Sequence, residues 1–281
     1  MILIADSGST KTDWRLIDDD KNIHPYTTIG LNPYFQTTEQ IAEEIRKDIV
    51  TRMRTEVVES DLDIFFYGAG CSNISMCKVV DKALKNNFHD ANIEVNHDLL
   101  AAARALCKNS EGIASIIGTG SNSCYYDGKK IVENIPALGY LLGDEGSGAH
   151  IGKTFIIAYL YDELPKSIAT DFYDNYKLNK GDIFEHAYRK PLPNKFLASF
   201  SKYIHQNIHH PYLSDLVKNC FHQFFEKHIC KYSKHKQVPF HCVGSVGFYY
   251  ADILRSVALE KGIKVGSISE FPIEELVKFH L

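Results

Sequence analysis

No apolar run in this chain approaches the roughly 20 residues needed to cross a bilayer, so a membrane-spanning role is not expected. The start, Met1–Ala5 followed at once by Asp6, lacks the basic leader and long apolar core of a secretory signal. No long basic run occurs and the net charge is −4, which argues against a nucleic-acid partner. The seven cysteines are odd in number and include no CxxC pair, so they read as reduced thiols and, with the missing leader, imply a cytoplasmic location. Histidines are plentiful at 13, and His205, His209 and His210, like His222 and His228, fall near helical spacing. No cysteine or carboxylate completes a zinc-like ligand set around them, so they read as surface or core residues.

What the chain does have is two glycine- and hydroxyl-rich loops more than a hundred residues apart. Asp6-Ser7-Gly8-Ser9-Thr10-Lys11-Thr12-Asp13 follows one apolar run, and Gly118-Thr119-Gly120-Ser121-Asn122 follows another, Ile113–Ile117. Each reads as strand, tight turn and second strand, because a β-rich stretch resumes after it: Trp14–Ile17 in one case, Ser123–Tyr126 in the other. Glycine lets the backbone approach a ligand closely, and small residues leave amide N–H groups facing open space. Such concave nests bind phosphate oxygens. Two ordinary hairpin turns are the alternative, but the pairing points to a nucleotide gripped between two halves.

The rest of the chain follows one layout twice. Strands are expected at 1–5, 13–18 and 23–29, a helix from Thr38 to about Arg54, and a strand at Leu62–Tyr67. A helix from about Ser75 to Phe88, a strand at Ile93–Asn96 and a helix at Leu99–Cys107 complete the order βββαβαβα. Strands at 113–117, 122–127 and 130–135 reopen the pattern, and a helix begins near Ser147. A helical region with Phe221–Phe225 as core runs to about His235. A strand at Phe240–Val243, a helix ending near Lys261, a strand at Lys264–Ser267 and a helix at Ile273–His280 close the chain. The polar patch Lys108–Gly112 divides it into 1–108 and 109–281, with a helical insertion at about 150–236 and the C-terminal helix, 272–281, expected against the first half.

Six stretches carry a family resemblance. They are Ala5–Thr12, Gly30-Leu31-Asn32-Pro33, Asn96-His97-Asp98, Gly118–Asn122, Gly143-Asp144-Glu145-Gly146-Ser147 and Val243-Gly244-Ser245-Val246. In this order they resemble the BadF/BadG-type ATPases that include N-acetylglucosamine kinases, within the superfamily of actin, Hsp70 and sugar kinases. The resemblance implies an α/β fold of duplicated ribonuclease H-like, actin-like ATPase domains with ATP in the cleft between them. The sequence departs from the pattern at Asp6-Ser7, where the human-type kinase has a run of glycines, and it has no alignable motif between His150 and Pro239. The zinc-binding cysteine cluster of the related ROK sugar kinases is also missing.

By this resemblance Gly8, Ser9, Thr10, Lys11, Gly118, Thr119 and Gly120 face ATP phosphates, and Gly244 and Ser245 lie against its adenosine. Asp6 holds Mg²⁺ directly or through water. Asp98 is the catalytic aspartate, a base able to accept the proton of an attacking sugar hydroxyl. Locally Asp98 reads equally well as the N-cap of the helix after it, and both roles can coexist. Asn32, Ser121, Asn122, Gly139 and Asp144 complete the implied sugar site. Asp144 and Asn32 retain local readings as a helix-capping residue and a turn starter. Glu145 reads as a residue behind the site.

The resemblance implies an ATP- and Mg²⁺-dependent kinase that phosphorylates an amino sugar such as N-acetylglucosamine, at O6, as a homodimer. Two further readings stay open: an ATPase of the same family that activates a 2-hydroxyacyl-CoA dehydratase through a [4Fe–4S] cluster between two subunits, and, as a separate class, a non-catalytic sugar or nucleotide sensor. The activator needs cysteines placed at a dimer interface, and the sensor is expected to lose Asp6 or Asp98.

Overall fold

The computed structural model describes residues 1–8, 10–53 and 61–281, so Ser9 and Arg54 lie outside the described residues. The chain divides into two compact units, Met1–Lys108 with Pro272–Leu281, and Asn109–Phe271. Unit one opens with β1 (Ile2–Ser7), β2 (Lys11–Ile17) and β3 (Ile23–Ile29), followed by α1 (Thr38–Ile45). A π-helical turn at Arg46–Val50 leads to α2 (Thr51–Met53), then β4 (Asp63–Gly68), α3 (Ile74–Lys85), β5 (Asn92–His97) and α4 (Asp98–Cys107). Its sheet has the order β3-β2-β1-β4-β5, with β1, β4 and β5 parallel and the two hairpin pairs antiparallel.

Unit two has β6 (Glu111–Ile117), β7 (Ser121–Asp127) and β8 (Ile131–Ile135), then α5 (Gly139–Leu142) and α6 (Gly148–Leu160). The helices α7 (Lys166–Tyr176), α8 (Lys180–Tyr188), α9 (Pro193–Gln206) and α10 (Pro211–Lys227) follow. It ends with β9 (Phe240–Val243), α11 (Ser245–Tyr249), α12 (Ala251–Glu260) and β10 (Val265–Ser269). The sheet order β10-β9-β6-β7-β8 is the first sheet's order read from the other edge, with the same parallel and antiparallel pairs. One topology is therefore built twice.

Alternation along β1 explains how unit one divides its sheet faces. Leu3 and Ala5 join Trp14, Phe66, Ile41 and Leu84 in one core, so Ile4 and Asp6 turn to the other face. Trp14 packs edge-on to Phe66 and donates its indole N–H to Thr28 Oγ1 at 3.1 Å. The opposite face takes α4 and the last helix, α13 (Ile273–His280), which the chain supplies after unit two. There Arg15 binds Glu274 at 2.7 Å, His280 stacks on Phe65, and Tyr67 Oη lies 2.9 Å from His280 Nε2. In unit two, Phe221, Phe224 and Phe225 are fully buried with Phe155, Phe172, Phe200 and Phe240, as their apolar sequence implies.

Three local differences from the sequence reading have physical reasons. Asp6 and Ser7 belong to β1, paired with Asp13 and Thr12, because both strands extend further into the loop. The helix from Thr38 loses α-helical regularity at Ile45, and Thr51 Oγ1 donates to Arg46 C=O at 2.9 Å across the π turn. The expected single helix after β9 is broken at Tyr250, whose hydroxyl is drawn to Ser201 C=O at 2.7 Å.

Leu276 on α13 is fully buried. Leu276→Ala should destabilise the protein by about 2–5 kcal/mol in urea-induced unfolding, as expected for a truncated core leucine. A loss below about 1 kcal/mol would mean that α13 is not an integral part of the fold.

Candidate active site

The parallel strands β1, β4 and β5 end together, and in open α/β sheets the carboxyl ends of strands are where ligands bind. Asp6 is the penultimate residue of β1, and Asp98 immediately follows β5. Burial raises the pKa of Asp6 to about 7, helped by the negative charges of Asp98 and Asp13 and opposed by Lys11. Lys11 itself binds Asp13 at 2.8 Å. Burial also raises the pKa of Asp98, against the lowering effects of His97 and of the first helical N–H groups.

Asp98 is not the helix cap. His97 occupies the N-cap with extended backbone, and its Nδ1 accepts from Leu100 N–H at 3.3 Å. Asp98 is the first helical residue, where the helix dipole favours a negative charge. The local rule that favours Asp as N-cap missed this because a histidine one residue earlier accepts the same hydrogen bond.

Behind the first loop, Ser7 is buried and lies 2.8 Å from Thr12 Oγ1. Its oxygen accepts from Leu31 N–H at 3.0 Å, which fixes the exit from β3 where Asn32 stands. Gly8 N–H donates to Lys11 C=O and Gly30 N–H to Thr10 C=O, closing the hairpin tip. Asn32 Oδ1 accepts from Tyr34 N–H at 3.0 Å, so the turn-starter reading is realised, while its amide NH₂ has no partner among the described residues. A Cβ on Gly70 would stand 2.3 Å from that Oδ1; glycine there lets the β4–α3 loop press on Asn32.

The second loop is tied differently. Gly148 and Ala149, the first two residues of α6, donate their N–H groups to Gly118 and Thr119 carbonyls at 2.8 and 3.1 Å. The loop thus satisfies a helix N-terminus with its carbonyls. The N–H groups of Thr119 and Gly120 have no partner among the described residues, the arrangement an anion nest requires. Gly120 is jammed against Asp144, where a Cβ would sit 2.8 Å from Oδ2. Asp144 is buried, with φ 55, and Ser121 N–H donates to its carboxylate, while burial raises its pKa. Ser121 Oγ donates to Glu145 C=O at 2.8 Å. Burial opposes ionisation of Glu145, but its own N–H and His228 hold its pKa below the usual range.

Asn122 follows on the opposite face of β7, where Asn134 donates to its Oδ1 at 3.1 Å. Gly139 is exposed at the start of α5, with φ 74 and open space around its Cα. The structure therefore gathers Gly120, Ser121, Asp144 and Glu145 and leaves Asn122 and Gly139 outside that cluster.

Gly244 links β9 to α11 with φ 119 and ψ 150, a region open essentially to glycine, and a Cβ would lie 2.5 Å from Ile117 C=O. Beside it, a groove of about 560 Å³ is lined by Gly118, Thr119, Ser199, Lys202, His205, Ser245 and Tyr249. The α9 side chains were invisible to motif reading because they come from the stretch that has no motif; their only sequence signal is the helical spacing of Ser199, Lys202 and His205. His205 packs against Tyr249 and Tyr250, and His210 caps α10. Among the described residues no group of three or more His, Cys, Asp or Glu is placed to hold a metal.

Two copies of the 3-2-1-4-5 sheet, each opened by a glycine hairpin, define a duplicated ribonuclease H-like fold of the actin-like ATPase class. The model of the BadF/BadG/BcrA/BcrD ATPase family matches residues 5–203, and the chain belongs to that family. A structure from Porphyromonas gingivalis, provisionally named an N-acetylglucosamine kinase, is 41% identical over 100% of this chain and 98% of its own, with TM-score 0.93. A similarly named protein of Chromobacterium violaceum shares 15% identity over 100% and 98% of the two chains, with TM-score 0.72. A protein of Listeria monocytogenes, provisionally named an N-acetylmannosamine kinase, shares 11% over 99% and 97%, with TM-score 0.51. The last two share the fold. No curated protein matches the sequence significantly.

Asp6 has a definite stability signature. Its folded pKa of about 7 exceeds the ordinary 3.8, so the folded protein keeps a proton that the unfolded chain has released between those values. Stability therefore falls as pH rises through that window and levels off above it. Metal-free wild type should lose on the order of 2 kcal/mol between pH 5 and pH 8 relative to Asp6→Asn. Parallel urea-unfolding curves for the two proteins, measured with chelator, would refute the assignment.

Proposed function

We propose that this protein is an ATP-dependent sugar kinase that transfers the γ-phosphoryl group to a hydroxyl, O6, of an amino sugar such as N-acetylglucosamine. One observation carries the reading: Asp98 is a desolvated carboxylate at a strand end, with His97 and not Asp98 at the N-cap of the helix that follows. A carboxylate of raised basicity is suited to take a hydroxyl proton in the transition state. The 41% identity to the P. gingivalis structure, provisionally named an N-acetylglucosamine kinase, supports the same substrate class.

Phosphoryl transfer asks mainly for positioning and charge neutralisation. In this reading the unpartnered N–H groups of Thr119 and Gly120 hold phosphate oxygens, and the groove between α9 and α11 takes the adenosine. The excess negative charge around Asp6 suits a divalent cation bound through one carboxylate, water and phosphate, the usual habit of magnesium. When bound, Mg²⁺ would neutralise charge developing on the phosphates, with Asp6 as its protein contact. Asp98 accepts the proton of the sugar hydroxyl. Asp144 orients sugar hydroxyls, and the amide NH₂ of Asn32 is suited to the same task.

Asp98→Asn should lower kcat by roughly 10²–10⁴-fold with ATP affinity little changed. His97→Ala, which removes the cap and the lowering effect of His97 on Asp98 but leaves the carboxylate, should cost about 1 kcal/mol of stability and far less activity. Steady-state kinetics and ATP titration of both variants decide this; an Asp98→Asn enzyme retaining more than about a tenth of the rate would exclude the base role.

Asp144→Ala should raise KM for sugar far more than KM for ATP, because the hydrogen bonds it removes are made to sugar hydroxyls. The substrate is tested by an ATP-coupled screen of N-acetylglucosamine, glucosamine, N-acetylmuramic acid, N-acetylmannosamine and glucose. N-acetylglucosamine should be preferred and glucose poor. Strong ATP hydrolysis indifferent to every sugar would overturn the kinase reading in favour of an activator ATPase.

A further inference from the structure

Asp144 has a left-handed backbone, and the turn Asp144–Gly146 is shaped by one face of α10 and the residue just beyond it. Phe224 lies against Gly146, where a Cβ would come within 2.8 Å of its own Cβ. His228, four residues on and therefore on the same helical face, stacks on Phe224 and places Nε2 3.0 Å from Glu145 Oε2. The histidine side chain is 4% exposed and that of Glu145 17%. The other ring nitrogen, Nδ1, is buried with no partner among the described residues. With Glu145 ionised, the ring proton belongs on Nε2, directed at the carboxylate, and Nδ1 is left bare. A buried histidine kept only for packing has no need of this one-sided bond to a residue adjoining the site. His150 Nδ1 accepts from Gly146 N–H at 3.2 Å, and Ser121 Oγ holds Glu145 C=O, so Glu145 is braced at both backbone and side chain.

From this geometry we propose that His228 is a positioning residue for Asp144, acting through Glu145, and that neither His228 nor Glu145 touches the sugar. The inference rests on the reading of Asp144 as a sugar contact. It gives the helical segment, otherwise without a motif, a part in substrate affinity.

The test compares His228→Leu, Glu145→Ala, Glu145→Gln and the double variant His228→Leu/Glu145→Ala, with N-acetylglucosamine and ATP varied separately. His228→Leu and Glu145→Ala should each raise KM for sugar about tenfold, the scale of one lost charged hydrogen bond. KM for ATP and kcat should stay within about threefold, since the glycine loop keeps its own bonds from Gly148 and Ala149. The double variant should be no worse than the poorer single one, because both changes break the same contact. Glu145→Gln, whose amide oxygen can still accept from Nε2–H, should recover most of the loss. Equal damage from Glu145→Gln and Glu145→Ala, additive effects in the double variant, or lowered Tm with unchanged KM would each overturn the proposal. If His228→Leu fails to fold, the contrast between Glu145→Ala and Glu145→Gln decides alone. If the wild type shows no sugar-dependent activity, the kinase reading fails separately. Amide exchange at residues 143–149 in sugar-free protein then decides: faster exchange in Glu145→Ala but not Glu145→Gln upholds the brace, and unchanged exchange refutes it.

Discussion

Two backbone hydrogen bonds, from Gly148 and Ala149 N–H to the carbonyls of Gly118 and Thr119, govern the glycine loop of the second unit. The first turn of a helix always presents N–H groups in need of acceptors. Here the β6–β7 hairpin supplies them, and a peptide whose carbonyl faces the helix turns its next N–H the other way. Capping α6 and forming the nest are thus one act. The same docking presses Gly120 onto Asp144, so the carboxylate and the nest share one rigid support.

The first unit uses the same topology for different chemistry. Its hairpin tip is closed on itself and on β3, with Ser7 as the buried joint, instead of capping a helix. The corresponding strand ends collect carboxylates, and burial, followed by repulsion from Asp98 and Asp13, raises the pKa of Asp6. Duplication supplied two equivalent scaffolds; side chains at the strand ends made one acidic and the other rich in amide donors. The departure at Asp6-Ser7 from the glycine run of the human-type kinase fits this division, because Ser7 works through its hydroxyl.

The strands and their turns were legible because alternation and glycine punctuation act locally. β9 and α13 occur at the bounds their apolar patterns imply, and the paired hairpins foretold the two equal sheets. The candidate residues were legible only where a motif marked them. Asp98 could be seen, but not that His97 takes the cap from it. Asp144 could be seen, with Glu145 behind it, but neither its left-handed backbone nor the contact of His228 with Glu145.

The sequence by itself determined which segments could be strands or helices and where close backbone approach was required, since propensity, periodicity and the small size of glycine belong to neighbouring residues. Tertiary structure alone decided which of the polar residues converge. Lys202 and His205 reach the groove beside Thr119, and His228 reaches Glu145 across 83 positions of chain, through helices that carry no motif. Their placement follows from the packing of α9 and α10 on buried aromatic residues such as Phe200, Phe221 and Phe224. That packing depends on shape and volume summed over many distant side chains, which no local pattern records.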